Sequence, residues 1–320
     1  MKLVYGRSGD GLTRLNPEAE GAAPIPKGAV WIDLYQPSPA ESDAIKALGY
    51  DVPTLEEMEE IEVSNRLYHA GDAQYLTAGL PGSSSEGVHI AGPVTFILSP
   101  RLLVTVRHHA PRPFETFPSR AGATAAGCAD PAHVFLGLVS EIVGRLADLL
   151  EGAGRVLDTA NRAVFAGDAS GRPDLLEDTL EEVGRQGELL GRIRLAMMTL
   201  ERMLGYFATT DANAGTKPYT KAALNDLHAL SDHADFLSAR VGLSVDATLG
   251  MINLAQNATV RIVSVVAVLF LPPTLVASIY GMNFPWLPAL DQPGGFWLAA
   301  ALMVASAAGT YAVFRWKDWL

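Results

Sequence analysis

Residues 261–283 read RIVSVVAVLFLPPTLVASIYGMN, and no charged residue occurs from Ile262 to Leu290. The part with helical character, about residues 262–280, is 19 residues long. An α-helix needs about 20 predominantly apolar residues to cross a bilayer. The stretch therefore predicts a transmembrane helix that ends just before a Gly-Met-Asn tripeptide.

A second uncharged run of 19 residues, 296–314, follows after a short connection. Arg261 precedes the first run and Arg315 and Lys317 follow the second, whereas the connection carries only Asp291. Because basic residues favour the cytoplasmic side, both termini are predicted to be cytoplasmic and the connection extracytoplasmic. A buried helical hairpin in a soluble core is the alternative, but two such runs in succession favour a membrane.

The composition restricts the class of protein. The chain has 320 residues, of which 49% are hydrophobic and 18% charged, and a net charge of −11 that lies entirely in residues 1–261. An acidic body argues against nucleic acid as a partner. The single cysteine, Cys128, excludes an internal disulfide and a cysteine-based metal site. No nucleophile–base constellation stands out, so an enzyme is not expected.

The N-terminal part is predicted to be an α+β domain. The runs 30–35, 74–80, 94–99 and 102–108 have the composition of strands. Thr54 and Glu57 have the spacing of a capping box, which predicts a helix over 55–63 with Leu55, Met58 and Ile61 on one side.

Long helices are predicted for the rest of the chain. Helical patterns cover 132–165 and 175–207, and no proline occurs between Tyr219 and Leu271. One helix over 219–283 would be about 98 Å long and would need partners to pack against. The predicted domains are a cytoplasmic domain (1–130), a helical hairpin (131–215), a stalk helix running into the first span (216–283), a loop (284–295), the second span (296–314) and a basic tail (315–320).

Positions taken at steps of 3.5 residues back from Gly281 are mostly small or polar. We call this set of residues the stripe. A period of 3.5 is typical of left-handed packing among parallel copies of one helix. The stripe is either a pore lining or a tight helix–helix seam, since small residues mark both. Polar ends around an apolar middle favour the pore. The members of the stripe are Ser278, Thr274, Leu271, Ala267, Ser264, Val260, Asn257, Asn253, Gly250 and Asp246.

The motif Tyr280-Gly281-Met282-Asn283, placed between two C-terminal spans, resembles the signature of the CorA family of magnesium transporters. The end of the chain, 314-FRWKDWL-320, is similar to the basic Trp-Leu tail of many members. The segment 53-PTLEEMEEIEVSNRLY-68 is similar to another region of the family. The resemblance covers the whole chain.

The resemblance implies a funnel-shaped homopentamer in the bacterial inner membrane. Five copies of the first span would surround a pore for influx of Mg²⁺, with Co²⁺ and Ni²⁺ as further candidate ions and no organic cofactor. Asn283 and the Gly281 carbonyl would form the outer mouth. Thr274, Leu271 and Asn257 match pore-lining positions of the family.

The resemblance also implies regulation by cytoplasmic Mg²⁺. Asp246 matches an acidic position at the subunit interface, and Glu86 is the candidate acidic partner. In the loop, Ala289 stands where many members have glutamate, which leaves Asp291 as the nearest acid to the mouth.

Two other functions stay open at this point. One is a zinc transporter of the same superfamily, for which His228 and His233 are weak candidate ligands, because a spacing of five residues does not place them on one helical face. The other is a membrane-anchored cation sensor that conducts nothing, although an anchor needs no polar stripe.

Overall fold

The structure is a computed structural model, and it describes residues 1–15, 25–26, 28–83, 89–165, 173–211, 213–282 and 294–317. Its strands are β1 (Lys2–Ser8), β2 (Gly11–Arg14), β3 (Ala29–Tyr35), β4 (Leu67–Ala70), β5 (Ala73–Ser83), β6 (His89–Leu98) and β7 (Leu103–Arg107). Its α-helices are α1 (Pro39–Lys46), α2 (Leu55–Glu59), α3 (Val63–Arg66), α4 (Pro113–Arg120), α5 (Pro131–Phe165), α6 (Pro173–Thr210), α7 (Lys217–Tyr280) and α8 (Gly295–Trp316).

The chain divides into two compact units. The first comprises Met1–Arg162 and Leu180–Val245, and the second comprises Ala163–Thr179 and Asp246–Leu320. The α+β character of the N-terminal part and the long helices after it confirm these two predictions, and the funnel-shaped homopentamer stays a prediction.

A seven-stranded mixed sheet organises the first unit, in the order β2-β1-β3-β7-β6-β5-β4. All neighbours are antiparallel except β3 and β7, which pair in parallel with Trp31 opposite Leu103. The four runs predicted as strands correspond to β3, β5, β6 and β7. Strands β1, β2 and β4 carry weaker patterns and were not predicted individually.

Each face of the sheet has its own apolar core, because successive side chains of a strand point to opposite faces. Trp31, Phe96 and Phe114 belong to the core that includes α4 to α7, whereas Ile32 and Tyr75 belong to the core on the other face. Burial raises the pKa of Tyr75 to about 12. The Tyr75 hydroxyl accepts a hydrogen bond from the Asp51 backbone N–H at 2.9 Å.

The predicted helix over 55–63 is wrong in its length. The Thr54–Glu57 capping box is present, with the Thr54 N–H donating to Glu57 Oε2 at 2.7 Å. Helix α2 nevertheless ends after five residues, because Glu60 adopts an extended ψ of 136°. Met58 is buried, but Ile61 is 86% exposed and does not share an apolar side with it.

Helices α4 to α7 pack on one face of the sheet, whereas α1 and α2 contribute Ile45 and Met58 to the core on the other face. Apolar residues of α5, α6 and α7, from Val134 of α5 to Leu237 of α7, belong to one continuous core. Met197 and Met203 are buried in this core, whereas Met198 faces outward and is 60% exposed. The lone cysteine, Cys128, is buried, and its thiol donates to the Asp10 carbonyl at 3.1 Å.

The second unit contains a small core near the ends of α5 and α6. Val164 and Leu176 are fully buried there and pack against Ala247, Met251 and Ile252 of α7. From Asn253 to Tyr280, α7 has no fully buried residue, and α8 has only two, Gly295 and Ala299.

A candidate ion pathway on the apolar helices

Two helices, α7 and α8, are long and apolar enough to cross a membrane. None of the residues in the most apolar 18-residue window of α7 is buried, and only 6% of those in α8 are. A core helix of a soluble protein would bury most of such a window. The large exposed apolar surface is the kind that lipid or further protein covers.

One face of α7 is partly covered within the second unit. Between residues 261 and 280 the partly buried side chains recur every three or four residues, which is the spacing of a single helical face. We call this set the covered face. Its members are Val265, Leu269, Pro272, Pro273, Val276 and Tyr280.

The stripe lies on the opposite side of α7. At about 100° of rotation per residue, its members point nearly opposite to the covered face. The stripe residues of the span, from Asn257 to Ser278, are all exposed in the single chain. The structure thus leaves the stripe available for contact with water, ions or other copies, while Val265, Leu269 and Val276 are partly covered. Other large apolar residues of the span, such as Phe270 and Leu275, are exposed.

Two stripe hydroxyls are oriented by their own helix. Ser264 Oγ donates to the Val260 carbonyl at 2.8 Å, and Thr274 Oγ1 lies 3.0 and 2.9 Å from the Phe270 and Leu271 carbonyls. Because each hydroxyl hydrogen is directed inward, the oxygen lone pairs remain available as acceptors. Acceptor oxygens suit the water shell of a cation.

Pro272 and Pro273 lie inside α7 and have no backbone N–H. The carbonyls of Val268 and Leu269, four residues earlier, therefore lose their usual partner in the helix. Such carbonyls are tolerated in a membrane only where protein or water satisfies them.

Helix α7 ends at Tyr280, the first residue of the Tyr-Gly-Met-Asn motif. The Gly281 N–H donates to the Ala277 carbonyl at 2.9 Å, and the Met282 N–H donates to the Ile279 carbonyl at 3.2 Å. Both residues are exposed. Asn283, the predicted mouth residue, lies outside the described residues.

Of the two residues predicted to bind regulatory Mg²⁺, the structure describes only Asp246. Asp246 is exposed on α7, whereas Glu86 and Asp291 lie outside the described residues. Within the described ranges, no group of three or more His, Cys, Asp and Glu side chains is arranged to hold a metal ion.

The histidines weighed as ligands for softer metals have other contacts. His228 Nε2 lies 2.8 Å from Glu201 Oε1, and the His233 ring stacks on Phe236. His109 is buried, its Nε2 lies 2.9 Å from the Leu80 carbonyl, and burial lowers its pKa. These positions fit structural roles.

Sequence reasoning did not identify the covered face as a functional feature. The signal was present, because Val265, Leu269 and Val276 are large apolar residues at helical spacing.

The model of the family described as CorA-like Mg2+ transporter protein matches residues 26–316, most of the chain. The chain belongs to this family. Among CorA relatives named magnesium transport protein, that of Escherichia coli (strain K12) is 30% identical over 322 residues and is covered, like this chain, over 100% of its length. That of Haemophilus influenzae (strain ATCC 51907 / DSM 11121 / KW20 / Rd) is 29% identical over 294 residues, which are 91% of this chain and 92% of the relative.

Solved structures of other proteins share the fold. The complete CorA magnesium transporter of Methanocaldococcus jannaschii matches with a TM-score of 0.74 and 20% identity, over 100% of this chain and 99% of its own. The full-length CmaX protein matches with a TM-score of 0.66 and 16% identity, over 100% and 98%. The cytoplasmic domain of ZntB from Vibrio parahaemolyticus RIMD 2210633 matches with a TM-score of 0.57 and 13% identity, over 78% of this chain and 96% of its own.

Proposed function

We propose that this CorA-family chain is a membrane channel that carries Mg²⁺ into the cell as a homopentamer. The observation that carries the proposal is the position of the stripe, which is exposed on the side of α7 opposite to the covered face. Five copies of α7 with their stripes facing one axis would enclose a pore. The names of the relatives support Mg²⁺ as the transported ion.

The chemistry of the stripe fits a hydrated ion. Mg²⁺ demands oxygen ligands in octahedral geometry and gives up its water reluctantly. Ser264, Thr274 and Asn257 offer neutral oxygens that can hydrogen-bond to that water without holding the ion too tightly. Leu271 and Ala267 are the apolar middle, which gives a constriction that can lose its water and close.

The Gly-Met-Asn motif is the proposed outer mouth. Rings of Asn283 carboxamides and Gly281 carbonyls would receive the hydrated ion as it enters. A neutral ring attracts a divalent ion less strongly than a carboxylate ring and releases it faster. Asp291 would supply the negative charge that many members of the family carry at the position of Ala289.

The membrane potential is a sufficient driving force for influx. A divalent ion gains about 4.6 kcal/mol per 100 mV of inside-negative potential, twice the gain of a single charge. The proposed orientation places both termini in the cytoplasm, because the basic residues Arg261, Arg315 and Lys317 flank the spans on that side.

Gating by cytoplasmic Mg²⁺ is the proposed control. Asp246 is exposed on α7 and would contribute a carboxylate to a regulatory site between copies. Glu86 is the proposed second ligand. Co²⁺ and Ni²⁺ remain candidate substrates beside Mg²⁺.

The decisive experiment is ion uptake into proteoliposomes, comparing Mg²⁺ with Zn²⁺ for the wild type and for Asn283→Ala. We expect potential-driven Mg²⁺ uptake that the substitution lowers by roughly tenfold or more, the effect of losing one good hydrogen-bonding group per subunit. Asn225→Ala removes an exposed carboxamide of α7 that lies outside the stripe, and it is the matched control for a carboxamide lost elsewhere.

The outcomes separate the alternatives. Undiminished Mg²⁺ uptake by Asn283→Ala would remove the mouth assignment. Uptake of Zn²⁺ in preference to Mg²⁺ would identify a zinc transporter. A wild type that carries no divalent ion would favour a sensor.

A further inference from the structure

A cavity of about 500 Å³ opens between α4 and α5 in the first unit. Its lining comes entirely from residues 112–148 and includes three arginines, Arg112, Arg120 and Arg145. Three guanidinium groups around one hollow are unusual in a chain with a net charge of −11.

Two carboxylates also line the cavity, and one of them is already compensated. Glu141 Oε1 accepts hydrogen bonds from Arg120 Nη1 at 2.9 Å and from Thr116 Oγ1 at 2.8 Å. The Glu141 side chain is only 14% exposed, so this ion pair is held in place by its surroundings. Its two charges cancel.

The remaining charges leave the cavity positive. Arg112 and Arg145 are opposed only by Asp148, which is exposed. Neither arginine forms an ion pair or hydrogen bond with another described side chain. Two guanidinium groups are therefore available to a ligand that brings negative charge.

The rest of the lining restricts the kind of ligand. The apolar lining residues are Pro113 and Ala123, and no aromatic ring is among the lining residues. A base or other flat ring would find nothing to stack on. The planar fork of an arginine matches the paired oxygens of a phosphate, and the volume lies within the range of about 300–1,000 Å³ typical of small-molecule sites.

We propose that this cavity binds a compact, multiply charged phosphate anion, either inorganic or the phosphate group of a small metabolite. Arg112 and Arg145 are the binding residues, and the Arg120–Glu141 pair fixes the wall between them. None of the lining residues belongs to the proposed ion pathway, so the test of this site does not depend on the proposed channel function.

Gly144 supplies a steric test of the same site. It lines the cavity, and a Cβ added to it would meet no heavy atom within 4 Å. A leucine side chain at this position would therefore extend into open space and occupy the cavity without disturbing α5. Leucine also favours the helix more than glycine does.

The experiment is calorimetric titration of the full-length protein in detergent with sodium pyrophosphate and with inorganic phosphate, in Mg²⁺-free buffer of constant ionic strength. We expect saturable binding to the wild type. Both Arg112→Gln/Arg145→Gln and Gly144→Leu are expected to weaken it by roughly tenfold or more, because charge-assisted hydrogen bonds are lost or the space is filled.

Two matched variants control for charge and bulk. Arg155→Gln removes an arginine of α5 that pairs with Glu151 at 3.6 Å outside the cavity, and Gly184→Leu fills open space on α6. Both should bind like the wild type. Absence of saturable binding at millimolar anion, or equal affinity in the wild type and Arg112→Gln/Arg145→Gln, would overturn the proposal.

A third ligand distinguishes the two sources of phosphate. Binding of pyrophosphate more tightly than of a nucleoside triphosphate supports the inorganic anion, since the cavity offers nothing to the base. The reverse order supports the phosphate group of a larger metabolite at the same arginines.

Discussion

Asp33 and Arg107 form the most deeply buried ion pair among the described residues, with side chains 0% and 6% exposed. Arg107 Nη2 and Nε donate to the Asp33 carboxylate at 2.8 and 3.1 Å, and Thr105 Oγ1 adds a third hydrogen bond at 2.8 Å. The guanidinium also lies over the rings of Tyr35 and Phe114, at 4.6 and 5.1 Å. The pair joins β3 to β7 at the only parallel contact among the described strands.

Removing one partner of this pair should lower the stability of the fold by more than the net stabilisation that the intact pair provides. Asp33→Ala leaves a buried guanidinium without its carboxylate, which typically costs about 3–5 kcal/mol. We expect a large fall in the unfolding temperature of the purified protein, measured by circular dichroism in detergent.

The matched control is Asp158→Ala, which removes a carboxylate from the ion pair with Arg240 at 2.5 Å. Asp158 is 57% exposed, and pairs of this kind contribute about 0–1 kcal/mol. Equal shifts for the two variants would contradict a special role for burial at Asp33.

Residue-level features were predictable where they are local in the chain. The Thr54–Glu57 capping box follows from a spacing of three residues. The Asp33–Arg107 pair joins residues 74 apart, and only the parallel pairing of β3 with β7 brings them together. Nothing near Asp33 in the sequence indicates that its partner is Arg107.

At the scale of elements, α7 has two faces of different composition. Val265, Leu269 and Val276 are partly buried on the covered face, whereas most residues of the stripe are small or polar. A pore and a dry helix–helix seam both suit the stripe in a single chain, but they differ in access to water. That difference can be measured.

Cysteine accessibility separates the two cases. The only native cysteine, Cys128, is buried, and Cys128→Ser gives a background without thiols. In that background we expect Ser264→Cys and Ala267→Cys to react with a water-soluble thiol reagent and to lose Mg²⁺ uptake, because both positions would line water.

Val265→Cys and Leu269→Cys on the covered face are the controls. They lie within two residues of the stripe positions but are partly buried on the opposite side, so they should stay unmodified. Protection of the stripe cysteines in the assembled protein would identify a seam and exclude a pore along this face.

The length of an element also determines whether its features can be predicted from a sequence pattern. The stripe was predicted because its 3.5-residue period repeats over more than 30 residues, long enough for a period to emerge. The length of α2 was not, because a helix of five residues is too short to display one. Its end at Glu60 depends on a backbone turn that glutamate does not signal.

At the scale of the whole molecule, α7 exposes apolar side chains well outside the predicted spans. Phe236 is 58% and Leu243 is 70% exposed, and they lie seven residues apart in the first unit. One heptad is the spacing of residues that contact a parallel partner helix. Exposed residues of this size fit a surface that another chain covers.

If copies of the stalk cover this surface, Leu243→Asp should break the assembly. We expect native mass spectrometry of the wild type in detergent to give a homopentamer of about 170 kDa, five times the 34.0 kDa chain, and the variant to give smaller species. Five aspartates brought together would repel one another and would also be desolvated, which opposes assembly on both counts. Ile61→Asp is the control, because Ile61 is 86% exposed but lies between α2 and α3 and not on α7, and it should leave the pentamer intact. A Leu243→Asp variant that remains pentameric would show that this part of α7 lies outside the contact, and a wild type of another stoichiometry would refute the fivefold pore.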